Sequence, residues 1–476
     1  EKIHQKKNIQ KIYLDSNNID HSFKNKDFRN KIKKLDFLIF FEKSKFMDKK
    51  ISNLPKHGSW FINYGVNNNT FAGFWETLLG SGISKVIIQK INKNENTSKI
   101  NIIDEGIYST KTISWFLNRD FIFEKSSTLV IKNLKLLYSK NIINLKTFSN
   151  YRVLNNPNVF LLLQYIVQKY PAAVMRKIIK TIIRLYQKNN RRPAEPKYNP
   201  WNLYMGKKNN KGLQPFNLSI RTKPNDNEAW ADPFLISDKN NDYVFFENWE
   251  FHKNKGKISY GKVKNYKISK VADALNLAHH LSYPFVWKQN NYFYMMPESG
   301  EKKCIQIWRT KNFPKNWVLY KTIFKGESCA DTTIFDDKKG ARWLFTNKSN
   351  DKFNDHNSEL YIYKTDKKFS KFKPHKLNPV IIDSRFARNA GNIYYDKGLI
   401  MRPSQINTHN LYGRGLNIRI ITKLNLNEFK EINYNTYYPD FKDNISAIHH
   451  ISQDKNKYVI DARYKKLLFY FMPKNY

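Results

Sequence analysis

Between Trp230 and Arg463 the polar and apolar positions repeat one phrase five times: an apolar strand, a hairpin, then an aromatic strand that ends on a polar residue. The opening strands are ADPFLI (Ala231 to Ile236), SYPFVW (Ser282 to Trp287), ADTTIF (Ala330 to Phe335), NAGNIYY (Asn389 to Tyr395) and AIHHIS (Ala447 to Ser452), with apolar anchors at Leu235, Val286, Ile334, Ile393 and Ile451. The anchors are 51, 48, 59 and 58 residues apart, which suits one four-stranded sheet of roughly 40 to 50 residues plus loops per unit. The pattern predicts an all-β five-bladed β-propeller. Its second strands run YVFFE, YFYMMPE, RWLFTN, GLIMRPSQ and YVIDAR, so Glu247, Glu298 and Gln405 each fall 12 positions after an anchor. An equal offset predicts that these side chains gather at one end of the barrel axis.

The N-terminal third is patterned differently. LDFLIFF (Leu35 to Phe41) and KVIIQKI (Lys85 to Ile91) are short continuous apolar runs of the kind buried in parallel sheets. Between them GSWFINYG (Gly58 to Gly65) reads as strand plus turn, and FAGFWETLLGSG (Phe71 to Gly82) as a helix closed by glycine. Alternating strands and helices predict a small α/β domain over residues 1–150. Phe160 to Tyr186 then places apolar residues at helical spacing, with Lys and Arg on the other face and Pro171 as the expected break. Such a helix packs on its own domain or lies on a membrane surface. The polar stretch Gln187 to Pro200 has linker composition. Residues 151–200 are therefore a helix and linker, and 201–476 the propeller.

Composition narrows the partners. Lys+Arg 83 against Asp+Glu 40 gives a formal charge of +43, which invites a nucleic-acid reading. The lysines, however, are spread along the chain among asparagines rather than gathered into an aromatic-interleaved stripe. Nucleic acid is not the expected partner; acidic glycans, sugar phosphates and anionic lipid surfaces suit the charge equally well. Cys304 and Cys329 are the only cysteines, which argues against a disulfide-built secreted domain. The longest apolar run, Val159 to Val167, is interrupted by Gln164 and too short to span a bilayer. No signal-peptide pattern is visible, although Glu1 rather than a methionine opens the chain and leaves room for upstream residues. The expected location is cytoplasmic, with peripheral contact at the inner membrane surface through Phe160 to Tyr186.

In a propeller the first strand of each blade lines the central channel, so polar groups at the strand ends converge on one funnel. Asp232 and Asp331 sit on such strands, and Glu247 and Glu298 close neighbouring ones. Arg402, Gln405, His449, His450 and Asp461 come from the fourth and fifth blades. Carboxylates crowded in a poorly solvated funnel push one another's proton affinities apart, which separates acid from base or nucleophile. Glycoside chemistry needs such a pair. The alternative is that Asp232 and Asp331 bond the backbone of neighbouring blades and that Glu247 and Glu298 pair with Arg402 or Arg388; acids on successive blades favour a polar ligand site. The doublets His279-His280 and His449-His450 lack metal-ligand spacing, and no metal is expected. The YGRGL loop (Tyr412 to Leu416) lacks the strand and helix context of a phosphate cradle and reads as a blade turn.

These residues carry two resemblances. The ordered run WADPFLI, YVFFE, HLSYPFVW, YMMPES, FPKNW, DTTIF, MRPSQ, HHIS and VIDAR, over about Trp201 to Arg463, resembles the propeller-type N-terminal domain of glucosamine inositolphosphorylceramide transferases. It is similar in plan to five-bladed furanosidase and fructosidase hydrolases, whose three acids lie on early blades as Asp232, Glu298 and Asp331 would here. The resemblance implies a sugar or nucleotide sugar as ligand, in surface-glycan or glycolipid biosynthesis, held or transformed by those acids. Around residues 35 to 145, the strand at Trp60 to Gly65, the AGFWE helix start and DEGIYST resemble sugar and methionyl-tRNA formyltransferases. That resemblance implies a Rossmann-like domain, formyl-tetrahydrofolate as donor, and Asn63 and Asp104 as its amide and carboxylate. The histidine of the family's pattern is missing beside Asn63, so the site is expected to be degenerate.

Overall fold

The repeated phrase folds into five antiparallel sheets whose inner strands face a common axis. Blade I comprises Glu228–Asp238, Asn241–Glu250, Lys255–Lys264 and Lys267–Leu275. Blade II comprises Ser282–Gln289, Tyr292–Glu298, Ile305–Thr310 and Val318–Ile323, and blade III Ser328–Asp336, Arg342–Ser349, Glu359–Thr365 and Phe372–Pro374. Blade IV comprises Tyr394–Asp396, Leu399–Thr408, Leu411–Leu424 and Phe429–Tyr437. Blade V is closed by two parts of the chain. Ile451–Asp454 pairs with Lys457–Tyr464, which pairs with Trp201–Asn209, which pairs with Ile220–Thr222. The ring is thus fastened by strands that precede the first repeat and begin at Trp201. The structure is a computed structural model and describes residues 26–40, 53–65, 71–91, 99–139, 146–149, 156–190, 200–209 and 212–464.

Packing makes the ring continuous. One apolar cluster fills each groove between neighbouring blades: Phe245, Val286 and Trp317 between I and II; Phe285, Ile334 and Leu344 between II and III. Phe345, Ile393 and Phe429 lie between III and IV, Met401, Ile418 and Ile460 between IV and V, and Met205, Trp230 and Leu235 between V and I. Each blade alone exposes two apolar faces, so closing the circle is what buries them.

Within the channel, three inner strands share a distortion. Asp232, Tyr283 and Asp331, each three positions before its anchor, hold φ of 51°, 44° and 45°. The ladder slips beside each one. A left-handed non-glycine residue costs about 1–3 kcal/mol, and here the bulge re-aims a side chain at the axis. Tyr283 crosses the channel: its hydroxyl donates to the Gly391 carbonyl (3.2 Å) and accepts from the Gly391 amide (3.0 Å). At Gly391 (φ 140°) a Cβ would stand 1.9 Å from the Ile451 carbonyl oxygen, so only glycine allows blade IV to approach blade V there. Tyr283, Phe234 and His450 pack together and form the channel floor.

The N-terminal sheet departs from the expected Rossmann-like arrangement. Its order is β1 (Leu38–Phe40), β2 (Ser59–Tyr64), β3 (Ile83–Lys90), β4 (Lys99–Ser109), β5 (Lys146–Ser149). Only β1 and β2 run parallel; β2–β3, β3–β4 and β4–β5 are antiparallel. A doubly wound fold requires a run of parallel strands with crossover helices, and successive antiparallel neighbours rule that out for this sheet. The KVIIQKI run is buried as predicted, but hydrophobicity reports burial and not strand direction.

Four helices are present among the described residues: α1 (Lys26–Lys33), α2 (Phe74–Leu78), α3 (Trp115–Tyr138) and α4 (Val159–Asn190). Ser114 caps α3 by accepting from the Leu117 amide. Phe121, Ile122 and Leu129 of α3 cover one face of the sheet. Helix α4 runs unbroken through Pro171, contrary to the expected break. It is tied down near its start, where Tyr165 packs on Phe74 and Trp115 and its hydroxyl accepts from the Trp115 amide.

The sheet docks on blades III and IV. Lys125 of α3, 1% exposed, reaches Asp351 (3.0 Å), Asp355 (3.5 Å) and Glu359 (2.5 Å) of blade III. The Ser109 amide donates to Ser384, Ser384 to the Ile107 carbonyl, and the His409 amide to the Gly82 carbonyl.

Candidate functional site

Five side chains proposed from sequence meet on one cavity of about 460 Å³ at the mouth of the channel: Asp232, Glu247, Glu298, Asp331 and His449. Their convergence follows from register. Glu247 pairs with Ala231 and Glu298 with Ser282, each directly opposite an inner-strand residue next to the bulge. The site therefore takes one bulge residue and one second-strand residue from blade I, the same second-strand position from blade II, and the bulge residue from blade III.

Three ion pairs fix the negative charge. His449 lies between Asp232 (Nε2 to Oδ1, 3.0 Å) and Asp461 (Nδ1 to Oδ2, 3.1 Å). Burial opposes charge on His449, but Asp461 and Asp232 outweigh it and raise the imidazole to about 10. Burial likewise pushes Asp232 up, and His449 overcomes it, bringing the carboxyl down to about 2. Asp461 also accepts the amides of Asp232 (2.9 Å), His449 (3.1 Å) and His450 (3.0 Å), so it holds blade V against blade I. On the other side Arg388 grips Asp331 through Nε (2.6 Å) and Nη2 (3.3 Å). Gln405 donates to the same carboxylate (3.0 Å).

The glutamates are the opposite case. Glu298 accepts the Asp331 amide at 3.2 Å. Burial first, and then the adjacent Asp331 charge, raises it to about 8, with Arg388 offsetting part of the rise. Glu247 is driven well above the carboxylate range by burial and by Asp232; His280 Nε2 stands 3.5 Å away. Burial lowers His280, keeping it neutral. At neutral pH the cavity thus carries ionised Asp232 beside protonated Glu247 and Glu298, the division of roles that acid and base work requires.

Several assigned residues do not line the cavity. Arg402 is fully buried and forks onto Glu431 (2.8 Å twice), with further bonds to Asn389 and the Phe386 carbonyl. It braces blade IV and is unavailable to a ligand. Gln405 and Asp461 act from behind, on Asp331 and His449. His450 packs between Phe234 and Tyr283, and only His449 of the pair reaches the cavity. Asp232, His449 and Asp461 bring ligand atoms within 4.8 Å of one another, a set able to hold a cation. In the present arrangement the imidazolium itself sits between the two carboxylates and balances them.

Other lining residues were not proposed as site residues: Trp201, Trp249, His280, Tyr412, Arg463 and Arg388, which was expected only as a partner for a glutamate and pairs instead with Asp331. Arg463 carried a usable signal, because it too lies 12 positions after its anchor, Ile451, and pairs opposite Ala447. Trp249 is two residues beyond Glu247 and so shares its face. Trp201 comes from the closing strand, which the repeats do not include. The ring of Trp201 packs on His449 (4.2 Å between centroids), and Arg388 lies over Tyr412 (5.0 Å).

Asn63 and Asp104 do not form a site. Asn63 pairs with Ile87, and Ile87 with Glu105; Asp104 belongs to the adjacent row, opposite Ile88. Neighbouring rows point to opposite faces. Asp104 faces α3, where Lys132 (3.0 Å) and Asn133 (2.9 Å) engage it, while Asn63 is buried on the other face. An amide and a carboxylate separated by the sheet cannot act on one formyl group, so these residues do not fit a formyl-folate.

Comparison with known proteins gives matches over the propeller. Residues 218–453 match the family model described as glucosamine inositolphosphorylceramide transferase 1, N-terminal. The chain is 32% identical over 209 residues to glucosamine inositolphosphorylceramide transferase 1 of Oryza sativa subsp. japonica, and 34% identical over 206 residues to that of Arabidopsis thaliana. These matches cover 43% and 42% of this chain but only 28% and 26% of the relatives' length. Among solved structures, a thermostable family-43 glycoside hydrolase aligns with 50% of this chain and 88% of its own, at TM-score 0.39 and 13% identity. A family 117 glycoside hydrolase from the marine bacterium Zobellia galactanivorans covers 56% and 90%, at TM-score 0.36 and 10% identity. The chain is thus similar, over its propeller, to the N-terminal region of glucosamine inositolphosphorylceramide transferases.

Proposed function

We propose that the funnel binds a carbohydrate in glycolipid or surface-glycan assembly, and that Glu298 serves as the proton donor with Asp232 as the ionised partner. One observation carries this reading: acids from three consecutive blades share a cavity of about 460 Å³ yet are held in opposite protonation states. The indole and phenol rings of Trp201, Trp249 and Tyr412 at the same cavity supply the flat apolar walls that suit a sugar ring. The relatives' names add glucosamine and inositolphosphorylceramide as the first compounds to try. Calorimetric titration of the whole chain with amino sugars and nucleotide sugars, together with product analysis, tests the reading. Turnover of a glycosyl compound that is lost in Glu298→Gln, with binding retained, is expected; absence of any sugar binding refutes the proposal.

A second reading has its own support. Both aspartates are already neutralised, Asp331 by the Arg388 fork and Asp232 by His449, which suits recognition of hydroxyl groups more than nucleophilic attack. Under it the protein binds a glycan and transforms nothing; saturable binding with no product in the same experiment decides for it.

We further propose that α4 rests on an anionic membrane surface. Phe160, Leu163, Val167, Tyr170 and Val174 are exposed and recur at helical spacing. The helix sequence contains Lys169, Arg176, Lys177, Lys180, Arg184 and Lys188 and no acidic residue. No helix among the described residues is long and apolar enough to cross a membrane, so contact in the interfacial plane is the form this takes. Co-sedimentation with anionic but not zwitterionic vesicles, abolished by Leu163→Asp with Val167→Asp, is expected. Equal behaviour on both vesicles overturns it.

A further inference from the structure

A second cavity, of about 520 Å³, opens where the N-terminal sheet meets blade IV. Three arginines line it, Arg385, Arg414 and Arg419, together with His409 and the Gly82–Ile83 backbone. Their charges are unequally met. Arg385 is held by Asp383, with contacts of 2.7 to 3.2 Å, and also feels Glu105 of β4. Arg419 shares the single carboxylate of Glu431 with Arg402. Burial, opposed by Glu431 but reinforced by the Arg402 charge, lowers Arg419 from the usual guanidinium value. Arg414 has no carboxylate at all among the described residues: its Nη1 donates to Thr408 (3.2 Å) and lies 3.0 Å from His409 Nε2. With Arg402 buried behind them and sharing Glu431, the three lining arginines face Asp383, Glu431 and Glu105 with one positive charge in excess, and Arg414 is the uncommitted member.

Two segments of chain contribute to both this cavity and the acid-lined funnel. The segment from Arg385 to Arg388 gives Arg385 to this cavity and Arg388 to the funnel; the hairpin strand gives Arg414 here and Tyr412 there. Three residues of chain reach at most about 10 Å, so the two cavities are lined from neighbouring positions of the same segments. Planar guanidinium forks match the oxygens of a phosphoryl group better than they match a hydroxyl.

We infer that this cavity is a phosphoryl subsite, taking the phosphate of the same substrate whose sugar lies in the funnel. The inference deepens the carbohydrate reading and rests on it for the sugar half; the anion half stands on the arginines alone. Inorganic pyrophosphate, a nucleoside diphosphate sugar and a methyl glycoside distinguish the parts when each is titrated into the whole chain. Pyrophosphate is expected to bind with an affinity that falls as salt rises. Arg414→Gln is expected to weaken pyrophosphate and the nucleoside diphosphate sugar by about tenfold or more, and to leave the methyl glycoside unchanged. Arg414→Lys, which keeps the charge and loses the fork, is expected to recover part of the loss. Because Arg414 is half-buried at a cavity wall, an unchanged melting temperature of both variants separates lost binding from lost folding. Vesicles carrying a phosphodiester glycolipid, captured by the wild type and released in Arg414→Gln, assign the phosphate to a lipid; a response to the nucleotide sugar alone assigns it to a soluble donor. If pyrophosphate does not bind, or binds Arg414→Gln as well as wild type, the subsite is refuted whatever the funnel does. If pyrophosphate binds through Arg414 but no sugar is held, the subsite stands and the carbohydrate reading falls.

Discussion

The propeller funnel and the N-terminal sheet contrast in how sequence distance relates to chemical proximity. Asp232 and Asp331 are 99 residues apart, yet they meet because each occupies the same bulged position on its blade. Asn63 and Asp104 belong to one small sheet and are separated by a single intervening strand, yet they lie on opposite faces. Parity within the strand register, and not closeness along the chain, decides which side chains can share a substrate. Experiments that perturb the two regions in parallel therefore bear on the same question.

The largest expected effect is catalytic. If Glu298 donates a proton, Glu298→Gln lowers kcat by about 100- to 10,000-fold while the dissociation constant for sugar stays within about twofold. Asp104→Asn, in the same assay, leaves both unchanged. The pH profile sharpens this: a proton donor raised to about 8 gives an activity that declines through an alkaline limb near that pH. A profile flat to pH 9 removes Glu298 from the role. Equal losses in Glu298→Gln and Asp104→Asn would dissolve the contrast between the regions.

Next in size is the seam that joins them. Lys125 is buried against three carboxylates. Replacing it by methionine leaves those acids without their cation, at a cost of about 3–5 kcal/mol, read as a fall in the denaturation midpoint. A loss below about 1 kcal/mol means that the carboxylates take up protons or find another partner.

The His449 pairs predict a stability that depends on pH. His449 is raised from 6.5 to about 10, so its ion pairs contribute fully below pH 6.5 and are lost as pH climbs toward 10. Glu298 adds to the decline between 4.5 and 8, because the folded chain keeps a proton that the unfolded chain releases. Asp232 acts at the other end, its contribution disappearing as pH falls from 3.8 through about 2. Denaturant titrations of wild type and His449→Gln between pH 6 and 10 should show a slope in the former that is reduced in the latter. Parallel curves remove the imidazolium from between Asp232 and Asp461.

What the sequence disclosed follows the same division. Leu235, Val286 and Ile334 mark strands because alternation and spacing are local properties; counting from the anchors located Glu247 and Glu298, and the inner strands themselves carried Asp232 and Asp331. The same count, carried to Ile451, reaches Arg463. Blade V was only half visible, since its outer strands, Trp201–Asn209 and Ile220–Thr222, come from before the first repeat. Arg402 and Arg388 are indistinguishable by residue type; only the presence of Glu431 beside Arg402 tells brace from wall. In the N-terminal sheet, burial of Val86 to Ile88 was legible, but strand direction depends on partners distant in sequence. Asn63 and Asp104 were matched by motif, and a motif carries no parity unless the register is known.

The smallest effect is expected at Asn63, and it is informative because it is small. The side chain is 5% exposed on a strand buried along its whole length, and its Oδ1 has no hydrogen-bond partner among the described residues. A desolvated carbonyl oxygen without a donor costs free energy that an apolar side chain of similar size does not. Asn63→Leu should therefore change stability by no more than about 1 kcal/mol in either direction, with sugar affinity unaltered. If Asn63 were instead an amide poised over a reacting formyl group, leucine would abolish a folate-dependent product while Asn63→Gln or Asp104→Asn reduced it in step. A loss of more than about 2 kcal/mol on Asn63→Leu would reveal a buried partner for the amide, and with it a polar function for a face of the sheet that the register now separates from Asp104.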